Sequence, residues 1–273
     1  MSRAELLPQF APDGAPVSFL VDFDGTISLV DVGDALMTRF VEDTTTLAEK
    51  DLAYYEGRVG SRELMLWDIS VLPEDAHLLR ETAASLPHDE TFVAFVDACR
   101  RRGAAIEVVS DGFGFHVEPN LARLGLTDLP IATNESRLDG PERGMSFPYG
   151  HPRCFVCGTC KRERVRIHQA ASRAVVFIGD GTSDRFAAAH AEIVFAKEQL
   201  AELCQAEGWS YLPWQTFGDV TAWVEDAFVD GRLPVTAKDY EGWRAEHAPA
   251  PRAFICGPEV WGEGRTVPGP GPR

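Results

Sequence analysis

The chain has 273 residues, 45% of them hydrophobic and 25% charged, which fits one large domain, or one domain with an insertion, built around a real core. With 26 basic and 42 acidic side chains the net charge is −16, a surface that repels phosphate backbones and excludes nucleic acid as an expected partner. No apolar run approaches the roughly 18 residues of a membrane span. The first residues, Met1-Ser2-Arg3-Ala4-Glu5, carry no apolar stretch of the secretory kind, so a cytoplasmic protein with reduced cysteines is expected.

Residues 1–16 contain Pro8, Pro12, Gly14 and Pro16 and are expected to form a leading arm. Val17, Phe19, Leu20 and Val21 predict a strand buried on both faces, as in a parallel sheet. It ends in Asp22-Phe23-Asp24-Gly25-Thr26. From about 33 to 86 the apolar spacing is helical: Leu36, Met37, Phe40 and Val41, then Leu64, Met65, Trp67, Ile69 and Leu72, then Leu78, Leu79 and Leu86. Fifty residues of helix after the first strand predict a small helical cap over the C-terminal edge of the sheet. A helix from His88-Asp89-Glu90 stops at Arg100-Arg101-Arg102-Gly103, with basic residues in its last turn and glycine behind it.

Ala104 to Val109 predict a second strand, ending at Ser110-Asp111-Gly112, and a helix follows from about Phe115 to Leu124. A third strand is expected over Leu129 to Thr133, and a β-hairpin within 134–153. A helix from Lys161 precedes a fourth strand, Ala174 to Ile178, which ends at Gly179-Asp180-Gly181-Thr182-Ser183-Asp184. Ile193 to Ala196 and Tyr211 to Pro213 complete the strands, with helices at about 197–207 and 217–228. Strands alternating with helices give an α/β fold, a doubly wound, mainly parallel sheet with an inserted helical cap. The expected division is a core of 17–32 and 87–230, a cap of 33–86 and a Pro/Gly-rich tail of 231–273. Phe254, Ile255, Val260 and Trp261 are able to dock that tail.

Three strands thus end in polar turns at one sheet edge, where ligands of open α/β sheets bind. Asp22 and Asp24, two residues apart, can share a metal and still divide the work of nucleophile and proton carrier. The acids, with Ser110, Lys161 and glycine-flanked amides, suit a Mg²⁺-dependent phosphoryl site: Mg²⁺ takes carboxylate oxygens and keeps room for phosphate.

Taken in order over residues 17–184, these four motifs resemble the haloacid dehalogenase superfamily of phosphatases. The resemblance implies Asp22 as nucleophile, forming an aspartyl-phosphate, and Asp24 as general acid and then base. It implies a metal site of Asp22, Asp180, Asp184 and the Asp24 carbonyl, and phosphate binding by Thr26, Ser110, Lys161 and amides near Phe23 and Asp111. The helical insertion resembles the phosphoserine-phosphatase-like subgroup. Within it Cys157-Gly158-Thr159-Cys160-Lys161 and the run from Phe195 to Val220 are most similar to the methionine-salvage 2-hydroxy-3-keto-5-methylthiopentenyl-1-phosphate phosphatases. Asp111 stands where phosphoserine phosphatases commonly have glycine.

Asp31, Arg58 and Arg62 are candidates for substrate recognition, against the alternative of a helix cap and two ordinary surface arginines. Phe113, Phe115 and His116 could wall the pocket or belong to the core. Cys154, Cys157 and Cys160 leave three options open: zinc, a disulfide or free thiols. The expected activity is hydrolysis of a small phosphorylated metabolite by a monomer or homodimer. Two alternatives are a phosphotransferase or mutase on the same aspartyl-phosphate, and a non-catalytic phosphorylatable module.

Overall fold

The computed structural model describes residues 14–151, 154, 156–227 and 231–232. Most of the leading arm and the tail beyond 232, including Phe254, Ile255, Val260 and Trp261, lie outside the described residues. Six parallel strands form one sheet in the order β3-β2-β1-β6-β7-β8. They are β1 (Val17–Val21), β2 (Ala105–Val109), β3 (Ile131–Ala132), β6 (Ala174–Gly179), β7 (Ile193–Ala196) and β8 (Leu212–Pro213). β4 (Glu135–Arg137) and β5 (Gly144–Ser146) make the separate antiparallel hairpin.

β1 and β6 sit in the middle of the sheet and every residue of both is buried. The pleat sends Phe19 and Val21 to one face and Leu20 to the other. On the first face they meet α5 (Phe92–Arg101), α6 (Val117–Arg123) and α10 (Phe217–Ala227). On the second, Leu20 packs with residues of α7 (Lys161–Ala170), α8 (Arg185–Ala188) and α9 (Glu198–Glu207). Helices on both faces of a parallel sheet make the doubly wound α/β fold that the alternation of elements predicts.

Between β1 and β2 run four further helices: α1 (Val32–Phe40), α2 (Thr44–Tyr55), α3 (Ser61–Val71) and α4 (Ala76–Ala84). Asp31, Asp43 and Asp75 cap α1, α2 and α4, each accepting a backbone N–H of the first turn. The chain leaves and re-enters the sheet at one place, because Leu29 N donates to Pro87 O and Asp89 N to Ile27 O, both at 2.9 Å. A second tie is Arg143, at the turn of the β4–β5 hairpin. Its guanidinium donates to the carbonyls of Ile69, Leu72 and Pro73 at 2.8–3.2 Å, satisfying the open C-terminal end of α3.

α5 starts at Phe92, later than the acids at 89 and 90 suggest. Asp89 accepts from Thr91 N at 2.8 Å and, through its other oxygen, from Phe217 N at 2.8 Å, so it joins the starts of α5 and α10 instead of entering a helix. Phe217 is fully buried and its ring lies 4.7, 5.1 and 5.1 Å from those of Phe92, Phe95 and Trp214. Phe217→Ala is therefore expected to lower unfolding free energy by about 3–5 kcal/mol in urea titration. A loss under about 1 kcal/mol would mean that this cluster does not hold α10 to the sheet.

Candidate active site

Register places the acids. Val21 lies beside Val108 on one side and Ile178 on the other, so the chain runs off the sheet at Asp22, Ser110 and Asp180 at nearly one level. Asp22 N still donates to Ile178 O at 3.0 Å. Beyond it the chain turns sharply: Gly25 has φ +72°, and a Cβ there would strike the Asp180 carboxylate. Glycine is thus required both for the turn and for the approach of Asp180.

Lys161, the first residue of α7, reaches into this edge with 3% of its surface exposed. Its ammonium lies 2.7 Å from Asp22 Oδ1 and 2.7 Å from Asp184 Oδ1, and donates to Ser183 Oγ at 2.9 Å. Burial works against its charge, but the carboxylates of Asp184 and Asp22 outweigh burial and hold it cationic well beyond the usual lysine range. Asp184 is fully buried, and its second oxygen accepts from Asp180 N at 3.0 Å and Gly181 N at 3.1 Å.

Asp22, Asp180 and Asp184 each offer an oxygen within 4.8 Å of the others, the one cluster suited to a metal ion among the described residues. Burial, and then the charge of Asp184, pushes Asp22 well above the ordinary carboxylate range and Asp180 up to about 7. An all-carboxylate oxygen set fits a hard divalent cation such as Mg²⁺.

Asp24 has a different environment. Burial works against its charge, yet His116 lowers its pKa both by charge and by a hydrogen bond, with Ser110 and the Val32 amide adding to this. His116 Nε2 lies 3.0 Å from Asp24 Oδ1, Ser110 Oγ donates to Oδ2 at 3.1 Å, and Val32 N donates to Oδ1 at 3.3 Å. Two carboxylates two positions apart are therefore driven in opposite directions by their surroundings.

Thr26 and Ser110 do not open onto the cleft. Thr26 Oγ1 donates to Asp180 Oδ1 at 2.5 Å, and Ser110 is fully buried and donates to Asp24, so both hydroxyls orient acids of the site. Asp111 lines the cleft, but its carboxylate accepts from Ser61 Oγ at 2.6 Å and Thr159 N at 2.7 Å. It ties α3 to the loop that delivers Lys161. Asp31 lines the cleft and caps α1 through Asp34 N at 2.9 Å.

Neither arginine reaches the cleft. Arg58 is exposed and pairs with Glu56 at 2.6 Å. Arg62, far from being a surface residue, is buried and donates to Cys157 O at 3.1 Å, its guanidinium 4.5 Å from the centre of the Phe147 ring. Cys154, Cys157 and Cys160 form no disulfide, and among the described residues they are not in the group gathered closely enough to hold a metal.

The residue that sequence reasoning missed is His116 as the partner of Asp24. It was legible only as an aromatic neighbour of Phe113 and Phe115, because the contact spans 92 positions.

Residues 19–189 match the family model of haloacid dehalogenase-like hydrolases. A 2-hydroxy-3-keto-5-methylthiopentenyl-1-phosphate phosphatase of an Exiguobacterium species is 31% identical over 76% of this chain and 96% of its own length. One of Brevibacillus brevis is 29% identical over 73% and 90%. Among solved structures, a phosphoserine phosphatase described as a phospho-aspartyl intermediate analogue superposes with a TM-score of 0.55. It shares 17% identity, covering 79% of this chain and 99% of that one. The phosphoserine phosphatase of T. onnurineus gives 0.56 at 13% identity, over 78% and 96%. No helix among the described residues is long and apolar enough to cross a membrane.

A raised carboxylate favours the folded state while protonated and loses that advantage as pH rises through its folded pKa. Metal-free protein is therefore expected to melt lower at pH 8 than at pH 6. Mg²⁺, which needs the acids ionised, should raise the melting temperature more at pH 8, by about 5–10 °C at a hundredfold excess over Kd. Asp180→Asn should abolish most of that shift. An equal Mg²⁺ effect at both pH values, or none, would contradict a metal seat on these acids.

Proposed function

The chain belongs to the haloacid dehalogenase-like hydrolases and is a phosphatase acting on small phosphorylated metabolites, and we propose that it works with Mg²⁺ through an aspartyl-phosphate on Asp22. The observation that carries this reading is the contrast between Asp22, fixed by Lys161 at 2.7 Å, and Asp24, fixed by His116 at 3.0 Å.

Asp22 Oδ1 accepts from both Lys161 and Phe23 N, the latter at 2.7 Å, which leaves Oδ2 as the oxygen to attack. Oδ2 forms a bond to phosphorus as the bond to the ester oxygen breaks. Asp24 passes that oxygen the proton it shares with His116, so the alcohol leaves neutral. The Asp24 carboxylate then takes a proton from water as the water oxygen bonds to phosphorus and the Asp22–phosphorus bond breaks. Inorganic phosphate leaves and both acids return to their first state. Mg²⁺ held by Asp22 and Asp180, with Asp184 in support, would offset the charge on the phosphoryl oxygens. Lys161 adds a fixed positive charge beside the nucleophile, and Ser110 and Val32 N keep Asp24 from turning away.

In this reading α1–α4 are the cap, closing a cleft of about 450 Å³ over the acids. Such a volume suits a small ester and excludes a phosphoprotein side chain on a folded surface. The division into a core of 17–32 and 87–230 and a cap of 33–86 is part of the proposal.

Phosphate release from a panel of small phosphomonoesters is the test. It is expected with Mg²⁺ and lost with EDTA. Asp24→Asn should slow turnover by about 10²- to 10⁴-fold, and Asp22→Asn should remove it. Full turnover by Asp22→Asn would overturn the aspartyl-phosphate. Transfer to added alcohols in place of phosphate release would make the protein a phosphotransferase.

A further inference from the structure

We propose that the cap side of the cleft is a seat for an ammonium group, so that the substrate is a phosphomonoester with a positively charged nitrogen at its far end. This rests on the phosphatase reading for the identity of the other end.

Nine carboxyl side chains line the cleft, eight of Asp and one of Glu, and Lys161 is the single Lys or Arg among the described lining residues. Five of these acids already have work. Asp22 and Asp180 belong to the metal cluster, Asp24 to His116, Asp111 to Ser61 and Thr159, and Asp31 caps α1. Asp34, Asp51 and Asp68 belong to α1, α2 and α3 and converge on the same space without such an account.

Asp68 separates this from an ordinary acidic rim. It is 7% exposed, it lines the cleft, and its Oδ1 is buried with no hydrogen-bond partner. An unpaired buried carboxyl oxygen is costly and calls for a partner, which a ligand in the cleft would supply. Asp34 and Asp51 line the same cleft, and burial, and next their charges, push Asp68 up to about 8. Lys50 pulls the other way but weakly, its ammonium lying 5.6 Å from the centre of the Trp67 ring.

The rest of the wall fits the same ligand. Tyr54 and Tyr55 line the cleft with ring centres 5.7 Å apart, and aromatic faces attract ammonium groups. Leu64, Met65 and Phe113 provide apolar surface for the carbon chain between the charged ends. A neutral methylthio tail, as in the compound for which the curated relatives are named, gives Asp68 and its neighbours no countercharge.

The test compares ω-aminoalkylphosphonates of two to five methylenes with alkylphosphonates in which a methyl replaces the ammonium. Both series resist hydrolysis, so calorimetric binding to the Mg²⁺-loaded full chain reads the seat without turnover. The amine of best length is expected to bind about tenfold or more tighter than its isostere. In Asp68→Asn, and separately in Asp51→Asn, that ratio should fall to within about twofold of one. Asn replaces a carboxyl that burial disfavours, so Asp68→Asn is expected to fold, which its melting curve checks. Equal binding of the two series, or a ratio unchanged in both variants, overturns the seat. So does a second equivalent of Mg²⁺ that Asp68→Asn loses, since the acids would then hold a metal. Turnover of the corresponding esters separates the two readings: hydrolysis without amine preference leaves the phosphatase and removes the seat. Amine preference in binding with no ester hydrolysed does the reverse.

Discussion

Lys161 stands 2.7 Å from Asp22 and 2.7 Å from Asp184, with all three side chains almost wholly buried. Breaking a buried pair by removing one partner costs about 3–5 kcal/mol, because the remaining charge is stranded. Here two carboxylates would be stranded at once, on turns that follow β1 and β6. The ammonium is therefore what lets like charges occupy adjacent strand ends. Everything else at the site depends on that permission. Asp180 can crowd against Gly25 because Asp184 is already neutralised behind it, and the turn at 180–184 closes on Asp184 through the amides of Asp180 and Gly181.

How Lys161 arrives there links the sheet to the helices above it. The loop before α7 is held by Asp111, which accepts from Thr159 N, and by Asn134, which accepts from Thr159 Oγ1 at 3.1 Å. Asp111 also accepts from Ser61 at the start of α3, and Arg143 holds the other end of the same helix. α3 is thus fixed at its start to the loop that delivers Lys161 and at its end to the β4–β5 hairpin. A residue without a side-chain acceptor could not make these bonds, so Asp111 is a strut between the helical insertion and the lysine loop.

The backbone and the charge-bearing positions were legible in the sequence because both depend on local patterns. Continuous apolar runs mark strands buried on two faces, and a parallel sheet aligns their C-terminal ends, so Asp22, Asp24, Asp180, Asp184 and Lys161 could be brought together from spacing alone. Side-chain partners were not legible. Thr26 and Ser110 carry the right hydroxyls, but which neighbour each one meets depends on rotamers set by residues 154 and 86 positions away. Arg62 looked like a surface residue because its helix is polar on several sides. Only the packed hairpin and cysteine loop bury it. His116 is hidden for the same reason, since a histidine in an aromatic cluster has no local sign that a carboxylate waits across the sheet.

The acids of the cleft are also a statement about stability. Asp22, Asp180 and Asp68 are all held above the ordinary carboxylate range by burial and then by neighbouring carboxylates, Asp184 for the first two and Asp51 and Asp34 for Asp68. Each would be easier to keep in a fold as an amide or an apolar residue, so the chain retains groups that weaken the empty state. The core can bear this, because the interior faces of β1 and β6 are fully apolar apart from Ser18 and glycine, and the aromatic cluster around Phe217 locks the last helix to them. Crowding of this electrostatic kind is relieved by protonation or by a neighbouring positive charge. The metal edge and the cap side are separated within one cleft, and Lys161 is already spent on Asp22 and Asp184. A dianionic ester entering between them therefore meets its own countercharge only if a cation accompanies it at the sheet edge, and it relieves the cap side only if it carries one at its far end.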